Sequence, residues 1–147
     1  MSNQQKPPDL NNIRELGKHG AYLYSDACKS RDKNKFFEAA KYLKIAADKG
    51  DAPAQYFYGM MLFDGDGIPK DVGAAEVYFK KSALQGLDDS MFSYAQCLLL
   101  KKTESDTAEA VKYLQKAIEL NNDEAMDLYG DMLLNGDGVP QNKEEGA

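Results

Sequence analysis

Apolar and small residues recur along the chain at spacings of three and four, as in Ala39, Tyr42, Leu43, Ala46 and Ala47. That period places side chains on one face of an α-helix, and the alternation of a strand is absent. The helical stretches also return at a nearly fixed interval. AQYFYG (Ala54 to Gly59), SMFSYA (Ser90 to Ala95) and AMDLYG (Ala125 to Gly130) each set a small residue, three variable positions, a Tyr and another small residue, and GAYLYS (Gly20 to Ser25) is a fourth copy. Their starts lie 34, 36 and 35 residues apart. A second pattern keeps step with the first: AAKYLKIAA (Ala39 to Ala47), AEVYFKKSA (Ala75 to Ala83) and AVKYLQKAI (Ala110 to Ile118). Two motifs repeating in phase argue for tandem structural units.

Each unit reads as two antiparallel helices. Four residues before the small residue of each second motif stand Gly50, Gly86 and Asn121, residue types that accept a left-handed backbone and so end a helix cheaply. Ala39, Ala75 and Ala110 on the first helix, and Ala54, Ser90 and Ala125 on the second, let the two approach closely. The pairs Tyr42/Tyr58, Tyr78/Tyr94 and Tyr113/Tyr129 fill the space beside them. Between pairs lie GDGIPKD (Gly65 to Asp71) and GDGVPQN (Gly136 to Asn142), in which Gly turns the chain, Pro stiffens it, and Asp71 or Asn142 can cap the next helix. The middle connector, LKKTESD (Leu100 to Asp106), is one residue short and has neither Gly nor Pro, which leaves its loop shape open.

At the N-terminus Pro7 and Pro8 stand where the first helix of the first pair would run. A single helix is expected instead, starting near Asp9, with a break at Gly17 to Gly20, and acting as a cap. NKEEGA (Asn142 to Ala147) matches the opening of another first helix, so the chain reads as the N-terminal part of a longer array with an uncapped apolar end through which it could self-associate. The expected organisation is a disordered tail at 1–8, a partial repeat at 9–35, repeats at 36–71, 72–106 and 107–142, and the start of a further repeat at 143–147.

The combination A-x-x-Y-[LF]-x-x-[AS]-[AI], then Gly, then A-x-x-x-Y-G, then G-x-G-[IV]-P-x-[DN] resembles the Sel-1-like repeat, a relative of the tetratricopeptide repeat. It covers about Phe36 to Asn142, with a half copy before it. The resemblance implies an all-α fold, a right-handed superhelical solenoid of stacked antiparallel helix pairs, and a non-enzymatic adaptor or scaffold that binds a partner protein or peptide. Some cysteine-rich bacterial members are described as β-lactam-binding or hydrolysing, but they carry a paired cysteine in each repeat and a secretion signal, and this sequence matches neither feature. A structural spacer is the other alternative, since a shared fold does not fix function.

Composition narrows the partners. The 147 residues are 43% hydrophobic and 29% charged, with nine Tyr, no Trp and a net charge of −6, which argues against nucleic-acid binding because affinity for phosphates rests on clustered Lys and Arg. Cys28 and Cys97 show no CxxC or other ligand spacing, so neither a zinc site nor a disulfide framework is indicated and a reducing compartment is expected. Their apolar surroundings, DAC and AQCLLL, predict buried thiols that fill the core. Met1 to Pro8 is polar and no later window is apolar for long enough to cross a bilayer. A cytoplasmic chain without membrane insertion is expected.

Candidate chemistry is sparse. His19, the single histidine, sits in the least regular part of the sequence, so a structural or exposed ring outweighs a catalytic one. Asp64-Gly-Asp66-Gly alternates carboxylates as a calcium loop does, but Ile68 and Pro69 fall where further ligand and glycine positions should be. Its glycines also lack the Lys-Ser or Lys-Thr pair of a phosphate-binding loop, so turn formation accounts for them. No cofactor and no metal are expected. Charge placement is more suggestive. Lys41, Lys44, Lys80, Lys81, Lys112 and Lys116 sit on first helices, as does Lys35. Asp88, Asp89, Asp123, Glu124, Asp127 and Asp131 sit on second helices and turns. Those six lysines could line a basic groove for an acidic or C-terminal carboxylate peptide. The bland alternative is a solvated face on which each lysine pairs with Glu38, Glu76 or Glu109.

Overall fold

The computed structural model describes residues 8–136. Among them seven α-helices follow one another and no strand occurs: α1 (Ile13–Ser30), α2 (Lys33–Asp48), α3 (Ala52–Asp64), α4 (Val72–Leu84), α5 (Asp88–Leu100), α6 (Glu104–Glu119) and α7 (Asp123–Asn135). The chain divides at Asp71 into two units, α1 to α3 and α4 to α7, and within each unit every helix packs on the next in sequence. Connections of two or three residues inside the units leave antiparallel packing as the way neighbours can meet.

The expected turns form for the expected reason. Gly50 (φ 103°), Gly86 (φ 97°) and Asn121 (φ 64°) all take the positive-φ backbone that ends the first helix of a pair. The following helix is then capped by a side chain in two of three cases: Asp51 accepts from the Ala54 amide and Asn122 from the Ala125 amide, whereas Leu87 before α5 supplies no such bond. The connector of open shape settles into Lys101 to Thr103. Lys102 takes φ 58° without being glycine, and Thr103 Oγ1 accepts from the Asp106 amide at 3.1 Å while donating to its carboxylate at 2.8 Å. In the glycine-rich connector, a Cβ on Gly67 would lie 2.5 Å from the Cβ of Phe36, so the backbone passes directly over the first turn of α2. α4 begins immediately after Asp71. The second such connector from Asp137 onward, the Asn142 cap and NKEEGA lie outside the described residues.

Close approach is carried by the residues that repeat. Ala39, Ala54, Ala75, Ser90, Ala110 and Ala125 are fully buried, as are Leu43 and Leu114, and Phe79 is nearly so; full burial of such a large side chain contributes about 1.5–3 kcal/mol. Ser82 and Ser90 stand where the neighbouring repeats pair two alanines, and their hydroxyls satisfy each other at 2.6 Å between α4 and α5.

The N-terminal expectation needs two corrections. α1 starts at Ile13 on an Asn12 cap, and Asp9 instead accepts from the Asn11 and Asn12 amides in the turn before it. The helix also runs unbroken through Gly17 and Gly20. These glycines are points of contact: a Cβ on Gly20 would lie 2.7 Å from Leu43 Cγ, and one on Gly17 would lie 2.5 Å from an Asp51 carboxylate oxygen. A missing side chain that reads as a helix breaker is here what lets α1 lie against α2 and the start of α3.

Candidate functional site

All six candidate lysines are exposed. Lys41 and Lys44 lie on α2 in the first unit; Lys80 and Lys81 on α4, and Lys112 and Lys116 on α6, lie in the second. In α4 and α6 a lysine stands three residues after the motif tyrosine, and its ammonium group rests over that ring: Lys81 Nζ lies 5.7 Å from the Tyr78 centroid and Lys116 Nζ 5.1 Å from that of Tyr113. Lys41 lies 5.7 Å from the Tyr42 centroid, and Lys80 reaches from α4 to Tyr94 on α5 at 5.9 Å. Lys44 and Lys112 are the two exceptions: Lys112 is exposed with no ring beneath it among the described residues, and Lys44 pairs with Asp48 at 2.8 Å, which raises its pKa through the hydrogen bond and the adjacent charge.

Two of the three glutamates expected to neutralise these lysines are engaged elsewhere. Glu76 pairs with Lys101 at 2.9 Å, and Glu109 accepts from the Tyr94 hydroxyl at 2.9 Å. The difference matters because a carboxylate cancels a lysine's charge, whereas a ring face holds the ammonium at about 0.5–1 kcal/mol on an exposed site and leaves the charge in place. Beneath them the tyrosines are well packed. Tyr94 and Tyr113 are buried and meet edge to face at 4.9 Å. The Tyr94 hydroxyl is pushed above its ordinary pKa, first by burial and then by its bond to Glu109.

One departure from the repeat was not singled out by motif reading. Two positions on the outer face of the first helices carry Lys41 and Asp48 in α2, and Lys112 and Glu119 in α6. In α4 they carry Val77 and Leu84, 51% and 67% exposed. Aligning the three first helices position by position would have shown it.

The remaining candidates take structural places. His19 is half-buried and meets Tyr42 edge to face at 4.8 Å. The Asp64 carboxyl is raised by burial and by neighbouring Asp66, and Gly65 and Gly67 both hold φ 74° in the turn. Among the described residues no group of three or more His, Cys, Asp or Glu could hold a metal ion. Cys97 is buried, and burial pushes its thiol up to about 12, with Glu76 adding to the rise. Cys28 corrects the expectation of two buried thiols: it is exposed, because it follows the fully buried Ala27 on α1 and turns away from the packed face. No helix among the described residues is long and apolar enough to cross a membrane.

Comparison with known proteins agrees with this architecture. A Sel1 repeat profile matches residues 14–51, 52–87, 89–122 and 123–147. Among solved structures, the chain is similar to a protective antigen present in uropathogenic Escherichia coli strains displaying an SLR fold, at 26% identity and a TM-score of 0.72 over 92% of this chain. It is also similar to a Sel1 repeat protein from Oxalobacter formigenes, at 27% identity and a TM-score of 0.78 over 97% of this chain. The chain spans 28% of the length of the first and 57% of the second. The all-α fold expected from the period is thus the fold observed, and with four matched copies over most of its length the chain belongs to the Sel1 repeat family.

Proposed function

We propose that this chain is a non-enzymatic adaptor or scaffold module in which the exposed lysines on the first helices of each unit engage acidic groups of a partner protein. The observation that carries the reading is that Lys41, Lys80, Lys81 and Lys116 rest over tyrosine rings and not on carboxylates. Positive charge is therefore presented on a protein whose net charge is −6. A partner's carboxylate can pair with these ammonium groups without first displacing an internal one, which favours specificity and fast encounter more than raw affinity. Membership of a repeat family built on extended helical surfaces supports a protein partner, and the overall acidity weighs against nucleic acid. Two free cysteines fit a reducing compartment such as the cytoplasm.

The test compares the chain with a Lys41→Glu, Lys44→Glu, Lys80→Glu variant in affinity capture from native extract, with mass spectrometry of what is retained. A protein held by the parent and lost by the variant supports the reading. Equal retention by both overturns it.

A further inference from the structure

We infer that α4 carries a docking stripe for an acidic amphipathic segment of a partner protein, with Val77 and Leu84 receiving apolar side chains and Lys80 and Lys81 receiving carboxylates on either side. The inference rests on the protein-binding reading above and gives the partner a definite chemistry.

Single exposed apolar residues are ordinary on protein surfaces. Position within the repeat sets these two apart. Val77 and Leu84 are seven residues apart on one helix, which places them about 20° from each other around the axis and about 10 Å apart along it. By the same geometry Lys80 and Lys81 stand about 50° to either side of the line joining them. Gly73, one turn before Val77 on the same face, is exposed and presents no side chain.

The sister helices show what the fold requires at these places. In α2 and α6 the two positions are occupied by Lys41 and Asp48 and by Lys112 and Glu119, all exposed. Packing therefore does not demand apolar residues there, and an exposed Val and Leu, at 51% and 67%, gain nothing from water. Lys80 and Lys81 have no carboxylate partner among the described residues, and their ammonium groups are held over Tyr94 and Tyr78. An occupant matching this face has apolar side chains one or two helical turns apart and carboxylates flanking them. That pattern of central apolar anchors with a charged rim is how compact protein interfaces gain affinity.

The probe is a fluorescein-labelled synthetic peptide of about 18 residues, helical, with leucines along one face and glutamates elsewhere. Two control peptides replace all leucines by alanine or all glutamates by lysine. Binding is read by fluorescence anisotropy against the full chain. The Val77→Lys, Leu84→Glu variant takes the residue types that α6 carries at these positions, so its fold should persist; circular dichroism and a melting curve check this. The expected result is that the Glu/Leu peptide binds the parent at least about tenfold more tightly than either control, and that either this variant or Lys80→Glu, Lys81→Glu abolishes the difference. The inference is overturned if the Glu/Leu peptide does not bind, or if the Val77→Lys, Leu84→Glu variant binds it as the parent does. Equal binding of the Glu/Ala and Glu/Leu peptides, lost only on Lys80→Glu, Lys81→Glu, would sink the stripe and leave the basic surface standing. Retained Glu/Leu binding in Lys80→Glu, Lys81→Glu would sink both. Self-association of the parent in sedimentation, abolished by Val77→Lys, Leu84→Glu, would overturn the inference by assigning the face to a second copy.

Discussion

The hydroxyl of Tyr94 on α5 donates to Oε2 of Glu109 on α6 at 2.9 Å, joining the second helix of one pair to the first helix of the next. Burial, then this bond, raises the Tyr94 pKa above the ordinary tyrosine value, and burial raises that of Tyr58 as well. A folded pKa above the unfolded one contributes stability that is complete below the unfolded value, near 10 for tyrosine, and lost as pH rises beyond it. Lys35, Lys44 and Lys101, raised mainly by their hydrogen bonds to Asp26, Asp48 and Glu76, act in the same direction. Burial raises the Cys97 pKa to about 12, so thermal melts should be flat from neutrality to about pH 8, begin to fall as the unfolded thiol ionises, and fall steeply above about pH 10. Tyr94→Phe should cost about 1 kcal/mol at pH 7 and make the alkaline fall shallower; an unchanged alkaline slope would contradict the assignment.

Asn122 bridges two turns. Its amide donates to Asp88 at 2.9 Å and Asp89 at 3.1 Å, while its carbonyl oxygen caps α7 at the Ala125 amide. Asn122→Ala removes a buried cap and strands two carboxylates, so urea unfolding should show a loss of about 2 kcal/mol. Asn122→Asp keeps the cap but sets a third carboxylate against the other two. It should be destabilised at pH 7 and recover towards the parent as the pH falls below about 4, where carboxylates protonate.

Gly20→Ala offers a sharper test of packing than of helix propensity. Alanine favours an exposed helix interior by up to about 1 kcal/mol over glycine. Here the new methyl would meet Leu43 Cγ at 2.7 Å and the Leu43 backbone nitrogen at 3.1 Å. Overpacking of this kind costs about 1–3 kcal/mol, so the melting temperature should drop; a rise would show that α1 does not lie as closely on α2 as described.

The two thiols should separate cleanly. Cys28 is exposed, whereas Cys97 is buried with its pKa pushed up to about 12. Thiolate is the reactive form. A thiol reagent at pH 8 should modify one cysteine in the folded protein, identified as Cys28 by peptide mapping, and both in denaturant. Equal native reactivity would place Cys97 at the surface.

Local rules carried the repeat a long way. The turn residues Gly50, Gly86 and Asn121 were legible because a positive φ is a property of single residues, and the small positions Ala39, Ala75 and Ala110 because tight helix pairs need them in register. What depends on the register between neighbouring helices was not legible. Gly17 and Gly20 looked like a break because nothing local says that Asp51 and Leu43 will lie against them. Cys28 looked buried because cysteine is usually a core residue and Ala27 precedes it, although the face it occupies points outward. The lysines were found by type and spacing, but their setting was not legible: Glu76 is bound to Lys101 in the connector after α5 and Glu109 to Tyr94 on α5, and tyrosine rings lie beneath four of the six lysines.

The passage of Gly67 over Phe36 bears on how the protein is made. Phe36 lies in the first turn of α2, and the segment that covers it is the connector that completes the first unit. During synthesis the first three helices can emerge while that turn is still open to solvent, and its cover arrives only with residue 67. Because domains tend to fold as units from the N-terminus while the chain elongates, the first unit can close before any residue of α4 has left the ribosome. A substitution at Gly67 would then reveal itself first as a nascent chain that lingers in a protease-sensitive state, ahead of any defect in the finished molecule.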